Sequence, residues 1–145
     1  MVLTTNPARA LKRACMLIVE DDFLIYMNLE ITLTAAGARI EQHCSSIEEA
    51  QTFIAGPRIR RIKPGRQLIA VLDIRLWDGT SLSLAHRLRE KRIPFLFYSG
   101  RGDWQAVKRE FSEAPRLAKP AYPADLVGAV GGLLRRSSAS ANQPN

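Results

Sequence analysis

The sequence predicts an α/β domain built on a five-stranded parallel sheet with helices on both faces. Two observations carry this. Short apolar runs alternate with helical patterns five times along 145 residues, and such alternation implies parallel strands joined by crossover helices. The runs themselves, such as Met16-Leu17-Ile18-Val19 and Leu68-Ile69-Ala70-Val71-Leu72, are continuously apolar. Strands buried on both faces read that way. The length suits one domain with a full core.

The first strand is expected over 15–20, CMLIVE. A helix follows from Phe23 to Ala36, with Ile25, Leu29, Leu33 and Ala36 at helical spacing and Gly37 as its stop. The second strand is ARIEQHC, 38–44. Ser46 with Glu49 forms a capping box that opens a helix through Ala55. LIAVLD, 68–73, is the third strand, and Thr80 to Lys91 is helical with Leu82, Leu84, Ala85 and Leu88 on its apolar side. PFLFY, 94–98, is the fourth strand, followed by a short helix from Asp103 to Phe111. PRLA, 115–118, is the fifth, and Ala124–Arg135 is the last helix, with Pro123 suited to its first turn. The domain proper is therefore 14–135. Residues 1–13 are expected to form a flexible arm and 136–145 a disordered tail.

Composition narrows the function. With 46% apolar and 24% charged residues the chain is globular, and 21 basic against 14 acidic residues give a net charge of +7. That balance suits nucleic acid, an anionic surface or an acidic partner. No apolar run approaches the roughly 20 residues of a membrane span, and MVLTTNPARALKR lacks the apolar core of a signal peptide. A cytoplasmic location without membrane insertion is expected. Cys15 and Cys44 give neither a disulfide framework nor a zinc site, and suit a reducing compartment. His43 and His86 lack metal-ligand spacing and read as structural or surface residues.

In open parallel sheets the ligand sits outside the C-terminal ends of the strands. The strand-ending residues are therefore the informative ones. The first strand ends in Glu20-Asp21, followed by Asp22; the third ends in Asp73; the fourth ends in Tyr98-Ser99-Gly100; the fifth ends in Lys119-Pro120. Each has a plainer use. Asp21 or Asp22 can cap the next helix, Asp73 can start a turn as Asp78-Gly79 does, and lysines are mostly solvated. Taken jointly they bring carboxylates, a hydroxyl and an ammonium to one edge. Clustered carboxylates are tolerable if they hold a hard divalent cation such as magnesium. A carboxylate beside it can serve as nucleophile toward a phosphoryl group, with serine and lysine binding the phosphoryl oxygens.

These segments, LIVEDD (17–22), VLDIRLWDGTS (71–81), PFLFYSG (94–100) and LAKP (117–120), resemble a response-regulator receiver domain of a bacterial two-component system. The resemblance spans about residues 14–135. It implies a flavodoxin-like (CheY-like) strand order 2-1-3-4-5. It implies Asp73 as phospho-acceptor, with magnesium held by Asp21, by Glu20 through water, by Asp73 and by the carbonyl of Arg75. Ser99 then is the switch hydroxyl and Lys119 the phosphate-pairing lysine, with a Lys119-Pro120 bond that is often cis in the family. PFLFYSG is also similar to the PFxFATG motif of alphaproteobacterial single-domain receivers, with Tyr98 and Ser99 in place of Ala and Thr.

Three departures from the family pattern stand out. Trp77 replaces a usual proline; Arg116 stands where many receivers carry the aromatic switch residue and is expected to act as a switch in its place, swinging between solvent and an acid such as Glu110 or Glu113; and the connection GPRIRRIKPGRQ, 56–67, is long. That connection carries Arg58, Arg60, Arg61, Lys63 and Arg66, read either as a solvated loop or as a contact patch. The strip Leu24, Met27 and Ile31 on the first helix is expected to pack on the last helix, with docking as the other use. The partners implied are a histidine kinase or phosphotransfer protein and an unknown downstream protein; sequence-specific DNA binding is not expected, and a homodimer is left open. The resemblance makes the chain a phospho-acceptor, shuttle or sink, and not an enzyme acting on a separate substrate. A phosphorylation-independent interaction module on the same fold is the alternative. A haloacid-dehalogenase-like phosphatase would need an acid two residues after Asp73, where Arg75 stands.

Overall fold

The computed structural model describes residues 6–100 and 104–141, with side chains as far as Ser137. Five strands, β1 (Ala14–Val19), β2 (Arg39–Cys44), β3 (Gln67–Leu72), β4 (Phe95–Ser99) and β5 (Arg116–Ala118), form one parallel sheet in the order 2-1-3-4-5. Four helices connect them, α1 (Phe23–Ala35), α2 (Ile47–Ala55), α3 (Leu82–Glu90) and α4 (Trp104–Glu110), and α5 (Pro123–Ala141) follows the last strand. Between β3 and α3 a small antiparallel ladder pairs Arg75–Leu76 with Gly79–Thr80. The expected fold class and strand order are both present.

Period two along each strand divides the core into two layers. Cys15, Leu17 and Val19 of β1 face one layer with Ala70, Phe97, Phe53 of α2 and Leu88 of α3. Met16 and Ile18 face the other, with Leu29 and Leu33 of α1 and Val130 of α5. Central β1 and β3 are therefore apolar on both faces, while β2, at the edge, is mostly only half-buried.

Local signals set the boundaries. Asp22 caps α1: its Oδ1 accepts from the backbone N–H of Leu24 (2.9 Å) and Ile25 (3.2 Å). Ser46 Oγ accepts from the Glu49 N–H at 3.0 Å, so α2 opens as its capping pattern predicts. The Glu49 carboxylate reaches back to Ser45 instead of Ser46, accepting from its N–H and its hydroxyl.

Four expectations are corrected. The N-terminal segment, where described, is not a free arm. Pro7–Arg9 forms a 3-10 turn, Leu11 is fully buried, and its N–H donates to the Ala36 carbonyl at 2.8 Å. Gly37, at φ 99°, makes this contact possible, because a Cβ there would lie 2.9 Å from the Ala8 carbonyl oxygen. The last helix does not stop at Arg135 but runs to Ala141. No Gly or Pro interrupts that stretch, buried Leu133 and Leu134 anchor it, and the Ser137 hydroxyl donates to Gln67 Oε1 at 2.7 Å. Residues 1–5 and 142–145, also included in the expected arm and tail, lie outside the described residues, as do Arg101, Gly102 and Asp103.

The apolar strip of α1 does not pack on α5. Leu24, Met27 and Ile31 are 75%, 41% and 62% exposed, whereas Leu29 and Leu33 make the contact with α5. At about 100° per residue the two sets lie on opposite sides of the helix, and α5 covers only one. Finally, the basic connection is not simply solvated. Ile59 and Ile62 pack on the core, while Arg58 lies over Phe53 and donates to Gln42 Oε1 (2.6 Å) and the Glu41 carbonyl (3.1 Å).

Candidate functional site

The backbone pairing continues one residue past several strands. Glu20 N–H donates to the Cys44 carbonyl, Asp73 N–H to Val19 and Lys119 N–H to Ser99, at 3.0, 3.0 and 2.9 Å. The residues after β1, β3 and β5 are thus held in register at the C-terminal edge. There Lys119 Nζ lies 2.6 Å from Glu20 Oε1 and 2.9 Å from Asp73 Oδ2. Ser99 donates its hydroxyl to Asp73 Oδ1 at 2.7 Å and accepts from the Ile74 N–H at 3.4 Å. Both oxygens of Asp73 are therefore engaged by groups from other strands.

Asp21 and Asp22, the last two of the three acids after β1, divide their work. Asp22 caps α1, which frees Asp21 for the site. Asp21 Oδ2 accepts from the Trp77 N–H at 3.0 Å. Glu20, Asp21 and Asp73 each offer a carboxylate oxygen, all within 4.8 Å of one another. Glu20 is buried, and its Oε2 has no hydrogen-bond partner. A buried carboxylate oxygen without a partner is costly, and three acids this close repel. The donor set suits a hard divalent cation bound by carboxylates and water, so the residues present fit a magnesium-like ion.

Electrostatics follow from burial and crowding. Burial pushes the Glu20 carboxyl up, the Asp73 carboxylate adds to this, and Lys119 opposes it; the result is about 7. Burial also pushes Asp73 up, but the neighbouring Glu20 carboxyl and the hydrogen bonds from Ser99 and Lys119 outweigh it and hold Asp73 below the usual carboxylate range. Lys119 is lowered by burial and raised more strongly by both acids, so it stays charged. Of the two buried carboxyls, Asp73 is thus the one held in the ionised form, the form of a carboxylate that can act as nucleophile.

Sequence expectations for Glu20, Asp21, Asp73, Ser99 and Lys119 thus converge on one cluster. The Lys119-Pro120 bond is cis. Arg75 lies in the turn after Asp73, its backbone paired with Thr80. Arg116 is not brought in: it stands exposed on edge strand β5, and Glu110 and Glu113 are engaged by His86 and Arg89. Two positioning features escaped the sequence reading. Asp78, expected only as a turn residue, caps α2 from across the fold, accepting from Ile47 N–H (3.0 Å) and Glu48 N–H (3.1 Å). Its carboxylate is held below the usual range by those bonds. Tyr98 accepts from the Ala121 N–H at 3.3 Å, and its ring lies 5.7 Å from Lys119 Nζ. A partner 31 residues away leaves no trace in local spacing; the aromatic residue beside Ser99 was a visible departure without an evident use.

Solved structures give the family. A candidate response regulator from Chloroflexus aurantiacus J-10-fl is 31% identical, with 86% of this chain and 98% of that chain covered at a TM-score of 0.65. The chain belongs to the response-regulator receiver family. The solution structure of SdrG from Sphingomonas melonis Fr1 resembles this receiver to the same degree, at 31% identity over 86% of this chain and 98% of that one, with a TM-score of 0.67. A receiver domain from Clostridium thermocellum superposes at a TM-score of 0.73 over 87% of this chain and 98% of that one. At 17% identity it supports the fold alone. No family model matches the sequence, and no curated protein does. Among the described residues, no helix of the receiver is long and apolar enough to cross a membrane.

Proposed function

We propose that this receiver accepts a phosphoryl group on Asp73 from a phosphohistidine and passes the signal on through protein contacts. The observation that carries the reading is the convergence on Asp73: Ser99 Oγ at 2.7 Å, Lys119 Nζ at 2.9 Å, and the carboxylates of Glu20 and Asp21 beside it. A carboxylate oxygen of Asp73 attacks phosphorus, the P–N bond to the donor imidazole breaks, and its electron pair leaves with the imidazole. Lys119 then exchanges its bond to Asp73 for one to a phosphoryl oxygen, and Ser99 donates to another. Glu20, Asp21, Asp73 and the Arg75 carbonyl would hold magnesium, which when bound offsets the charge on the transferring group.

Phosphorylation adds roughly two negative charges beside Ser99 and Lys119. Movement of Ser99 toward them carries the end of β4, which is how the change leaves the site. The activity stays within the chain, so the domain is an acceptor and no enzyme for a separate substrate. The exposed strip of Phe23, Leu24, Met27 and Ile31 beside the site supports docking of a histidine kinase or phosphotransfer protein there. PFLFYSG supports placement beside the PFxFATG receivers, and such partners imply a cytoplasmic setting.

Intact-mass spectrometry after incubation with acetyl phosphate and magnesium tests the reading. One added phosphoryl group is expected in the parent and none in Asp73→Asn. Equal labelling of Asp73→Asn would remove Asp73 as the acceptor.

A further inference from the structure

At the edge of the sheet remote from Asp73 lies a groove of about 510 Å³. Ile93, Phe95 and Leu133 contribute to its floor, and Arg89, Arg92 and Arg136 stand around it. Its volume falls in the range of small-molecule sites, roughly 300–1,000 Å³.

The arginines are not equivalent. Arg89 is committed: it pairs with Glu113 at 2.9 Å, donates to the Glu110 carbonyl at 3.3 Å, and lies 4.3 Å from the centre of the Phe111 ring. Glu113, the carboxylate on the wall, is thereby neutralised. The guanidinium groups of Arg92 and Arg136 have no hydrogen-bond or ion-pair partner among the described residues. The lining therefore carries two uncompensated positive charges over an apolar floor.

Arg92 also has an unusual backbone, at φ 59°, the one positive φ at a non-glycine position among the described residues. It ends α3 in the turn where helices normally place glycine, with Arg92 N–H bonded to the Arg89 carbonyl and Ile93 N–H to the Leu88 carbonyl. At the corresponding turn after α1 the chain does use glycine, Gly37. A long cationic side chain at a position better suited to glycine is a strain that points to a use for that side chain.

We propose that this groove binds a small amphiphilic anion. Its apolar body lies on Ile93, Phe95 and Leu133, and its carboxylate or phosphate sits between Arg92 and Arg136, whose planar forks match such groups. A nucleic-acid backbone would meet the same arginines but leave the apolar floor unused. A bilayer surface fits less well, because every large exposed hydrophobic side chain among the described residues lies elsewhere: Phe23, Leu24, Met27, Ile31, Trp77 and Tyr122.

The test uses decanoate as the probe, titrated into the ¹⁵N-labelled protein, with decanol as the uncharged counterpart. Decanoate is expected to give saturable shifts at Arg92, Ile93, Phe95, Ala114 and Leu133. The double variant Arg92→Gln/Arg136→Gln is expected to weaken decanoate binding about tenfold or more while leaving decanol unchanged, as loss of charge-assisted bonds requires. Both side chains are exposed, and the groove is remote from Asp73. Labelling by acetyl phosphate is therefore expected to match the parent, which also shows that the variant is folded. The proposal is overturned if decanoate shifts fall on the α1 strip instead, if the double variant binds decanoate as the parent does, or if the parent binds decanol as well as decanoate.

Discussion

Along the edge where the strands end, Lys119 lies 2.6 Å from Glu20 and 2.9 Å from Asp73, Asp21 accepts from Trp77, and Asp22 and Asp78 cap helices. Along the edge where they begin, Arg92 and Arg136 face solvent without acidic partners among the described residues. The same sheet thus holds a closed set of charges at one end and an open set at the other. Burial accounts for the difference. Glu20 is 1% exposed, and a charge so placed must be paired or neutralised. The arginines keep their charge in water at little cost. The buried edge is therefore finely balanced in protonation, and the exposed edge is not.

The largest effect on that balance is expected from Lys119→Met. Without the ammonium, Asp73 and Glu20 confront each other unpaired. Urea denaturation at pH 8 without divalent ions is expected to show a loss of about 3 kcal/mol. Most of it should return in Lys119→Met/Glu20→Gln; if the single variant matches the parent, the buried ion pair is not holding this edge together.

Next comes the pH dependence of Glu20. The fold holds its proton to about 7 against an ordinary value of 4.5. The stability that this group contributes is full below about 4.5 and is lost as pH rises through 7. Glu20→Gln never ionises. It is expected to exceed the parent by on the order of 2 kcal/mol at pH 8 and to differ little at pH 5. A constant difference across that range would mean that Glu20 titrates normally.

On the open edge, Arg92→Gly relieves the positive φ, and glycine suits the turn. A gain of about 1 kcal/mol is expected in thermal unfolding, together with weaker decanoate binding. A loss of stability would show that the arginine side chain supports the fold.

The smallest effect is spectroscopic. Trp77 is 75% exposed, and its backbone N–H donates to Asp21. In Trp104→Phe, magnesium is expected to change Trp77 fluorescence, with half-saturation moving to lower magnesium as pH rises past 7 and Glu20 loses its proton. Asp21→Asn should abolish the change; an equal response in that variant would place the metal elsewhere.

Much of the acidic edge was legible because the period-two core fixes where each strand stops. Once Leu17, Val19, Ala70 and Leu72 are buried, the next polar residue must emerge at the rim. That places Glu20, Asp73, Ser99 and Lys119 from the sequence alone. The sequence also determines α2, since Ser46 and Glu49 are a local capping signal. It did not decide between Asp21 and Asp22 as the cap of α1, because both suit the position; three-dimensional pairing with Trp77 draws Asp21 away. Nor did it place the α1 strip. Leu24 and Leu29 are equally apolar, and only the side on which α5 lies determines which is covered. Residues 136–141 looked like a tail by composition, yet buried Leu133 and Leu134 and the Ser137–Gln67 bond carry the helix onward. The basic groove was invisible for the same reason: Arg92, Phe95 and Arg136 are remote in sequence, and only the packing of α3, β4 and α5 brings them to one place.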